Sequence, residues 1–178
     1  MANGPTIETV RLRLRPACVD DAVILQALWS RPLVRRFLWD DRSVTLDETR
    51  DVLATNDTLF AERGVGLWLA TPVDDETVMG FTGYWLFHEP PRLELLYGLD
   101  DRWWGRGLAT EAAAALVRLG FEQCGYDTIH ASIDTPNVAS ARVLERLGFE
   151  PGDAVANARP ATSFFRLTRG GGIAGGGR

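Results

Sequence analysis

The stretch that decides the fold runs Leu99-Asp100-Asp101-Arg102-Trp103-Trp104-Gly105-Arg106-Gly107-Leu108-Ala109-Thr110. It reads as the end of a strand, a short glycine-containing loop and the start of a helix. Glycine lets the main chain come close to a ligand, and the first helical turn adds unpaired N–H donors and the positive end of a dipole. That combination suits a pyrophosphate, with the guanidinium groups of Arg102 and Arg106 able to add charge. Two glycines also make a plain tight turn, so the local pattern leaves both readings open. Beyond the loop, a helix is predicted from Leu108 to Gln123. Leu108, Ala112, Ala115, Leu116 and Leu119 fall on one face and Glu111, Arg118 and Glu122 on the other, so this helix lies flat on a sheet.

Outward from this point the chain divides into two patterns. On the N-terminal side, the alternation Val10-Arg11-Leu12-Arg13-Leu14-Arg15 predicts a strand closed by Pro16. Ala22, Leu25, Leu28 and Trp29 make a helical stripe, and Thr45-Leu46-Asp47-Glu48 has the capping-box form that opens a second helix running to about Arg63. Leu67 to Thr71, Val78 to Phe87 and Leu93 to Leu99 are separated by turn-rich segments and predict an antiparallel meander. On the C-terminal side helix and strand alternate: Thr128 to Ile133 as strand, Asn137 to Leu147 as helix, and a last strand near Phe164 to Thr168. The class is α/β in the mixed, α+β sense.

The last of these helices carries a second signal, Asn137-Val138-Ala139-Ser140 through Leu147-Gly148-Phe149. Asn137 stands at the N-cap, and Gly148 closes the helix. Ser140, Val143, Leu144 and Leu147 share one stripe, so the Ser140 hydroxyl faces the apolar side in the first turn. It either bonds back to the helix start or donates a proton to a ligand.

Composition narrows the chemistry. The chain has 178 residues, 46% hydrophobic and 24% charged, with a net charge of −5. This is one core's worth of sequence, with an acidic balance that argues against binding to a nucleic-acid backbone. All 19 basic residues are arginine. Without lysine there is neither a P-loop nor a Schiff base. Cys18, Cys124, His88 and His130 have no ligand-like spacing, so no metal site is expected and the cysteines read as small buried residues in a reducing compartment. Neither a secretion signal nor a membrane-spanning run is visible, and a cytoplasmic protein is expected. Gly105-x-Gly107-x-x-Thr110 half-matches a dinucleotide fingerprint, but the third glycine is missing and an antiparallel meander precedes it.

Taken together, Arg102-x-x-Gly105-x-Gly107-x-Ala109 and Asn137-x-x-Ser140 through Leu147-Gly148-Phe149 resemble the GNAT superfamily of acetyl-CoA-dependent N-acetyltransferases. Thr9 to Pro16, Asp20-Asp21-Ala22, Glu94-Leu95-Leu96-Tyr97 and Trp104-Gly105 resemble its ribosomal-protein-alanine N-acetyltransferase-like branch, and the likeness spans Thr6 to Thr168. The resemblance implies a mixed, mostly antiparallel sheet with helices on both faces, whose fourth strand (Leu93 to Leu99) and fifth (Thr128 to Ile133) splay into a V. Residues 1–169 would form one acetyltransferase domain and 170–178 a flexible glycine-rich tail. Acetyl-CoA would lie in the V, its pantetheine amides on the backbone of Leu96, Tyr97, Gly98 and Leu99. Its pyrophosphate would sit on Arg102, Gly105, Arg106, Gly107, Leu108, Ala109 and Thr110, and Asn137 would reach the pantetheine arm.

Amine acetylation needs a base for the amine, donors for the carbonyl oxygen and a way for the thiolate to leave. Glu94, a lone carboxylate on an apolar strand, is the candidate base if burial raises its pKa; the other reading is a paired structural glutamate. The position where many family members carry a tyrosine acid is Leu144, which leaves Ser140 or water as donor. Phe37, Trp39, Trp85, Phe87, His88 and Glu89 either rim the acceptor side or pack in the core. The resemblance implies a primary amine as acceptor, either a protein N-terminus or a small molecule such as an antibiotic or polyamine. A non-catalytic acyl-CoA-binding module is the reading from another class, and the expected partners include no nucleic acid and no membrane, with a homodimer admitted.

Overall fold

The computed structural model describes residues 4–159 and 161–170. The glycine-rich tail expected over 170–178 lies outside them, apart from Gly170. Its strands are β1 (Ile7–Glu8), β2 (Leu12–Pro16), β3 (Leu67–Pro72), β4 (Gly80–Phe87), β5 (Arg92–Leu99), β6 (Thr128–Asp134), β7 (Glu150–Pro151) and β8 (Thr162–Thr168). Its helices are α1 (Ala22–Trp29), α2 (Pro32–Arg35), α3 (Leu46–Arg63), α4 (Leu108–Glu122) and α5 (Val138–Arg146). The eight strands form one sheet in the order β1-β2-β3-β4-β5-β6-β8-β7. Every pairing is antiparallel except that of β5 with β6, which is parallel and registers Glu94 against His130. The fourth and fifth strands of the sequence reading are therefore β5 and β6, shifted by one because β1 is too short for a period-2 pattern to reveal.

Helices cover both faces, as the apolar stripes require. Ala112, Ala115, Leu116 and Leu119 of α4 pack on one face against Leu12, Leu14, Leu95 and Ile129. Leu25, Leu28 and Trp29 of α1 and Leu53 of α3 pack on the other against Leu67, Leu69 and Phe81. The Thr45–Glu48 capping box closes α3 at its start, and Gly64, in the left-handed conformation, closes it at its end. No helix among the described residues is long and apolar enough to cross a membrane.

One boundary differs from expectation for a reason that matters to the site. The strand predicted from Val10 begins at Leu12, because Thr9 to Arg11 are drawn into a turn that leaves Val10 92% exposed. The Thr9 hydroxyl accepts from Leu12 N at 2.9 Å and donates to Glu111 Oε1 at 2.6 Å, and Arg11 donates its backbone N–H and Nε to the same carboxylate. Arg11 Nη1 then reaches the Arg106 carbonyl at 2.9 Å. The β1–β2 turn thus braces the loop ahead of α4. Burial works against the ionised Glu111, but the bonds from Thr9 and Arg11 hold its carboxyl below the usual range.

On the opposite face, fully buried Asn56 of α3 donates to the Ala17 carbonyl at 2.9 Å and accepts from Leu67 N at 2.7 Å, joining helix, chain entry and β3. Asn56→Leu leaves a buried donor and a buried acceptor unpaired. The expected cost is about 3 kcal/mol, read as a fall in melting temperature of roughly 10 °C in thermal unfolding.

Candidate active site

Two clefts open where β5 and β6 diverge. Past the Glu94–His130 register no further β5–β6 pair forms among the described residues, so the strands part toward their C-terminal ends. The first cleft, about 420 Å³, is lined by Tyr97, Gly98, Leu99, Gly105, Gly107, Leu108, Ala109 and Thr110, by Asn137, Ser140, Arg142 and Arg146 at α5, and by Leu33 and Val34 of α2. The second, about 380 Å³, is lined by Phe37, Phe87, His88, Leu96, Ser132, Asp134, Leu144 and Arg159 among others. Phe37, Tyr97, Asn137 and Ser140 line both. The clefts therefore meet at these four residues.

The first cleft has the features of an anion site at one end. Gly105 and Gly107 have φ of +74° and +75°, a conformation that L side chains rarely adopt, and Gly107 is the N-cap of α4 with no side-chain bond to the first turn. The N–H groups at that turn are left for a ligand. Thr110 lines the same cleft, and its buried hydroxyl has no hydrogen-bond partner. An orphaned hydroxyl beside free amides is what a phosphate oxygen would satisfy. The Trp104 indole N–H holds the Leu99 carbonyl at 2.9 Å, and the Tyr97 hydroxyl donates to the Ser140 carbonyl at 2.9 Å. Burial pushes the Tyr97 phenol well above its ordinary range, so the hydroxyl keeps the proton that ties β5 to α5. The Asn137 side chain caps α5 by accepting from Ser140 N at 3.2 Å.

Three of the residues singled out from sequence sit elsewhere. Arg102 turns back on Asp100, donating Nε at 3.0 Å and Nη2 at 2.7 Å, because Asp100 caps the short 3-10 turn Asp101–Trp103. Arg106 lies over the Trp103 ring, 5.0 Å from its centroid. Neither lines a cleft. The cations that do line the first cleft are Arg142 and Arg146, which the sequence reading missed; their i, i+4 spacing on the helix opened by Asn137 was the available signal. Leu96 lines the second cleft rather than the first.

Glu94 is the third. Of its two readings the paired one matches the geometry. The side chain is fully buried and lines neither cleft. Arg92 donates Nε to its Oε1 at 2.8 Å, His88 Nε2 lies 3.1 Å from the same oxygen, and the Ser132 hydroxyl donates to Oε2. Of the aromatic residues named as rim or core, Phe37 and Phe87 line the second cleft while Trp39 and Trp85 pack into the α1–α3 core. Asp40 and Asp134 also line that cleft, with Arg159 paired to Asp40. Burial, and then the nearby Asp40, push the Asp134 carboxyl up. Cys18 and Cys124 line neither cleft, and burial raises both thiols.

A sheet parted between two parallel strands, with an anion-ready helix start on one side and a second cleft meeting it at shared residues, is suited to transfer of a group between two substrates. Residues 11–150 match the family model described as an acetyltransferase (GNAT) domain, and the chain belongs to that family. It is an acetyl-CoA-dependent N-acetyltransferase. The uncharacterized N-acetyltransferase p20 of Bacillus licheniformis is 28% identical over 146 residues, covering 82% of each chain. An acetyltransferase from Agrobacterium tumefaciens superposes with a TM-score of 0.81 at 26% identity, covering 93% of this chain and 95% of that one. The fold alone is shared, at 19% identity and a TM-score of 0.75, with RimL, a ribosomal L7/L12 alpha-N-protein acetyltransferase solved with coenzyme A, over 92% of this chain and 98% of that one.

His130, opposite Glu94, has a buried Nδ1 with no partner. Burial first, then the charge of Arg92, lower its pKa. The unfolded chain takes up this proton near the ordinary imidazole value of about 6.5, whereas the folded chain takes it up only at lower pH, so acidification favours unfolding. Denaturant titrations at about pH 7.5 and 5.5, on either side of that value, should show His130→Gln losing less stability than the unaltered protein.

Proposed function

We propose that the chain transfers the acetyl group of acetyl-CoA directly to a primary amine, with a protein N-terminal amine of the ribosomal-protein type as first acceptor. The observation that carries this is the meeting of the two clefts at Phe37, Tyr97, Asn137 and Ser140. A carrier held in the first cleft would present its acyl group to an amine entering by the second, and neither cysteine stands where it could hold the acyl group between them. The likeness to the ribosomal N-terminal acetyltransferase supports this acceptor. A small cationic amine is the second reading, favoured by Asp40 and Asp134 in the acceptor cleft.

Acetyl-CoA brings the activated acyl group; the chain's own residues do the rest. Gly107 to Thr110 bind the pyrophosphate through backbone amides, and Arg142 and Arg146 add charge at the outer end. Leu96 to Leu99 offer backbone groups to the amides of the arm, and N–H groups near Leu96 and Tyr97 polarise the thioester carbonyl. Ser140, which lines both clefts, is the candidate donor to the departing thiolate, since the position at which many family members carry a tyrosine acid is here the fully buried Leu144. A thiolate also leaves unaided, since thiols ionise near pH 8.5.

Thermal unfolding with acetyl-CoA, CoA or NAD tests the carrier. At about a hundredfold excess over Kd, acetyl-CoA and CoA should raise the melting temperature by roughly 5 to 10 °C, and NAD should leave it unchanged. Gly107→Asp should abolish that rise while the circular dichroism spectrum is retained; an undiminished rise would remove this loop from the site. Ser140→Ala tests the donor. It should lower kcat about tenfold or more, with unchanged acetyl-CoA affinity and melting temperature, in a steady-state assay of CoA release.

A further inference from the structure

We infer that His88 is the base that takes the acceptor's proton and that Glu94 stands behind it as a positioning residue. The inference rests on the amine-transfer reading above and supplies the residue for its proton step. Glu94 cannot fill that role directly. Its side chain is fully buried, Oε1 accepts from Arg92 and faces His88, and Oε2 accepts from Ser132. To take a proton from an amine it would have to break one of these contacts and reach a cleft that it does not line.

His88 is placed where Glu94 is not. It lines the acceptor cleft, together with Ser132. Its backbone has φ +70°, in the left-handed region that non-glycine residues seldom enter, so packing must hold it there. The ring sits 5.4 Å from that of Phe164 and 3.1 Å from Glu94 Oε1 through Nε2. A carboxylate oxygen accepts, so the nitrogen that faces it carries the hydrogen, and Nδ1 remains an unprotonated acceptor. Nδ1 has no protein partner among the described residues. This is the arrangement by which a buried carboxylate fixes the tautomer of an imidazole and stabilises the imidazolium that forms. Ser132, with its oxygen 3.0 Å from Nε2, locks the ring from the same side.

The step balances within these groups. As the amine nitrogen bonds to the acetyl carbon, the carbon–sulfur bond breaks and its electron pair leaves on sulfur. The amine's proton moves to His88 Nδ1, and the imidazolium, with its Nε2 facing Glu94, returns it to water before the next turnover.

Two measurements decide the matter. The chain has two histidines, so in 15N-labelled His130→Gln protein the only imidazole signals are those of His88. They should report a ring whose Nε2 carries the hydrogen and whose Nδ1 is free of it. A ring carrying hydrogen on Nδ1 would overturn the proposal, and this readout requires no acceptor. In turnover assays His88→Gln should lose about a hundredfold in kcat while keeping its acetyl-CoA-induced thermal shift, and imidazole added to His88→Ala should restore part of the rate. Folded His88→Gln with kcat within twofold of the unaltered protein would equally refute it. If the unaltered protein binds acetyl-CoA but acetylates no amine, the proposed function fails, and the tautomer still tests the His88–Glu94 pair separately.

Discussion

The rest of the structure depends on the interruption of one β-ladder. Among the described residues β5 and β6 are the sole parallel neighbours in an otherwise antiparallel sheet, and they share one register position before they part. Past that position the two strands no longer exchange ladder bonds, and the Leu99 carbonyl is taken up by the Trp104 indole N–H instead, since unpaired buried peptide groups are costly in a packed sheet. Such a gap persists only if the elements around it are held apart.

The gap is held open from three sides. At its closed end the Arg92–Glu94–His88–Ser132 cluster joins β5, β6 and the end of β4 through hydrogen bonds to one buried carboxylate. Across its mouth the Tyr97 hydroxyl ties β5 to the first turn of α5. At the anion end the Thr9–Arg11–Glu111 bonds and the Arg11 contact to the Arg106 carbonyl set the loop that precedes α4. Arg31 adds a fourth contact, bonding Asp101 at 2.7 Å and so fixing the corner ahead of α2 to the loop beneath it. Each of these is a polar contact between elements far apart in sequence, set on a scaffold whose stability comes from the apolar packing of α4 on one face and of α1 and α3 on the other.

Charge is distributed accordingly. The acyl-carrier side draws on backbone amides, one orphaned hydroxyl and the arginines of α5. The acceptor side mixes two carboxylates, a histidine and Arg159 with the apolar walls of Phe37 and Phe87. The two clefts thus differ in charge on either side of the same sheet opening. The four shared residues form the seam at which they meet.

The sequence by itself determined the elements and the faces they bury. Hydrophobic periodicity located α1, α4, α5 and the long strands, the Thr45–Glu48 box opened α3, and Gly105, Gly107 and Asn137 marked the starts of α4 and α5. These are local signals, carried by residues within one or two turns of each other. Only the tertiary structure decided where the charged side chains went. Arg102 chose Asp100 over the cleft, Arg106 settled on Trp103, Glu94 was consumed by Arg92 and Ser132, and His88 came to stand between that carboxylate and the acceptor cleft. The physical reason is that a backbone's conformation follows from its neighbours in the chain. An arginine, glutamate or histidine reaches several ångströms to whichever partner the packed fold brings near, and β4, β5 and β6 meet only once the sheet has formed.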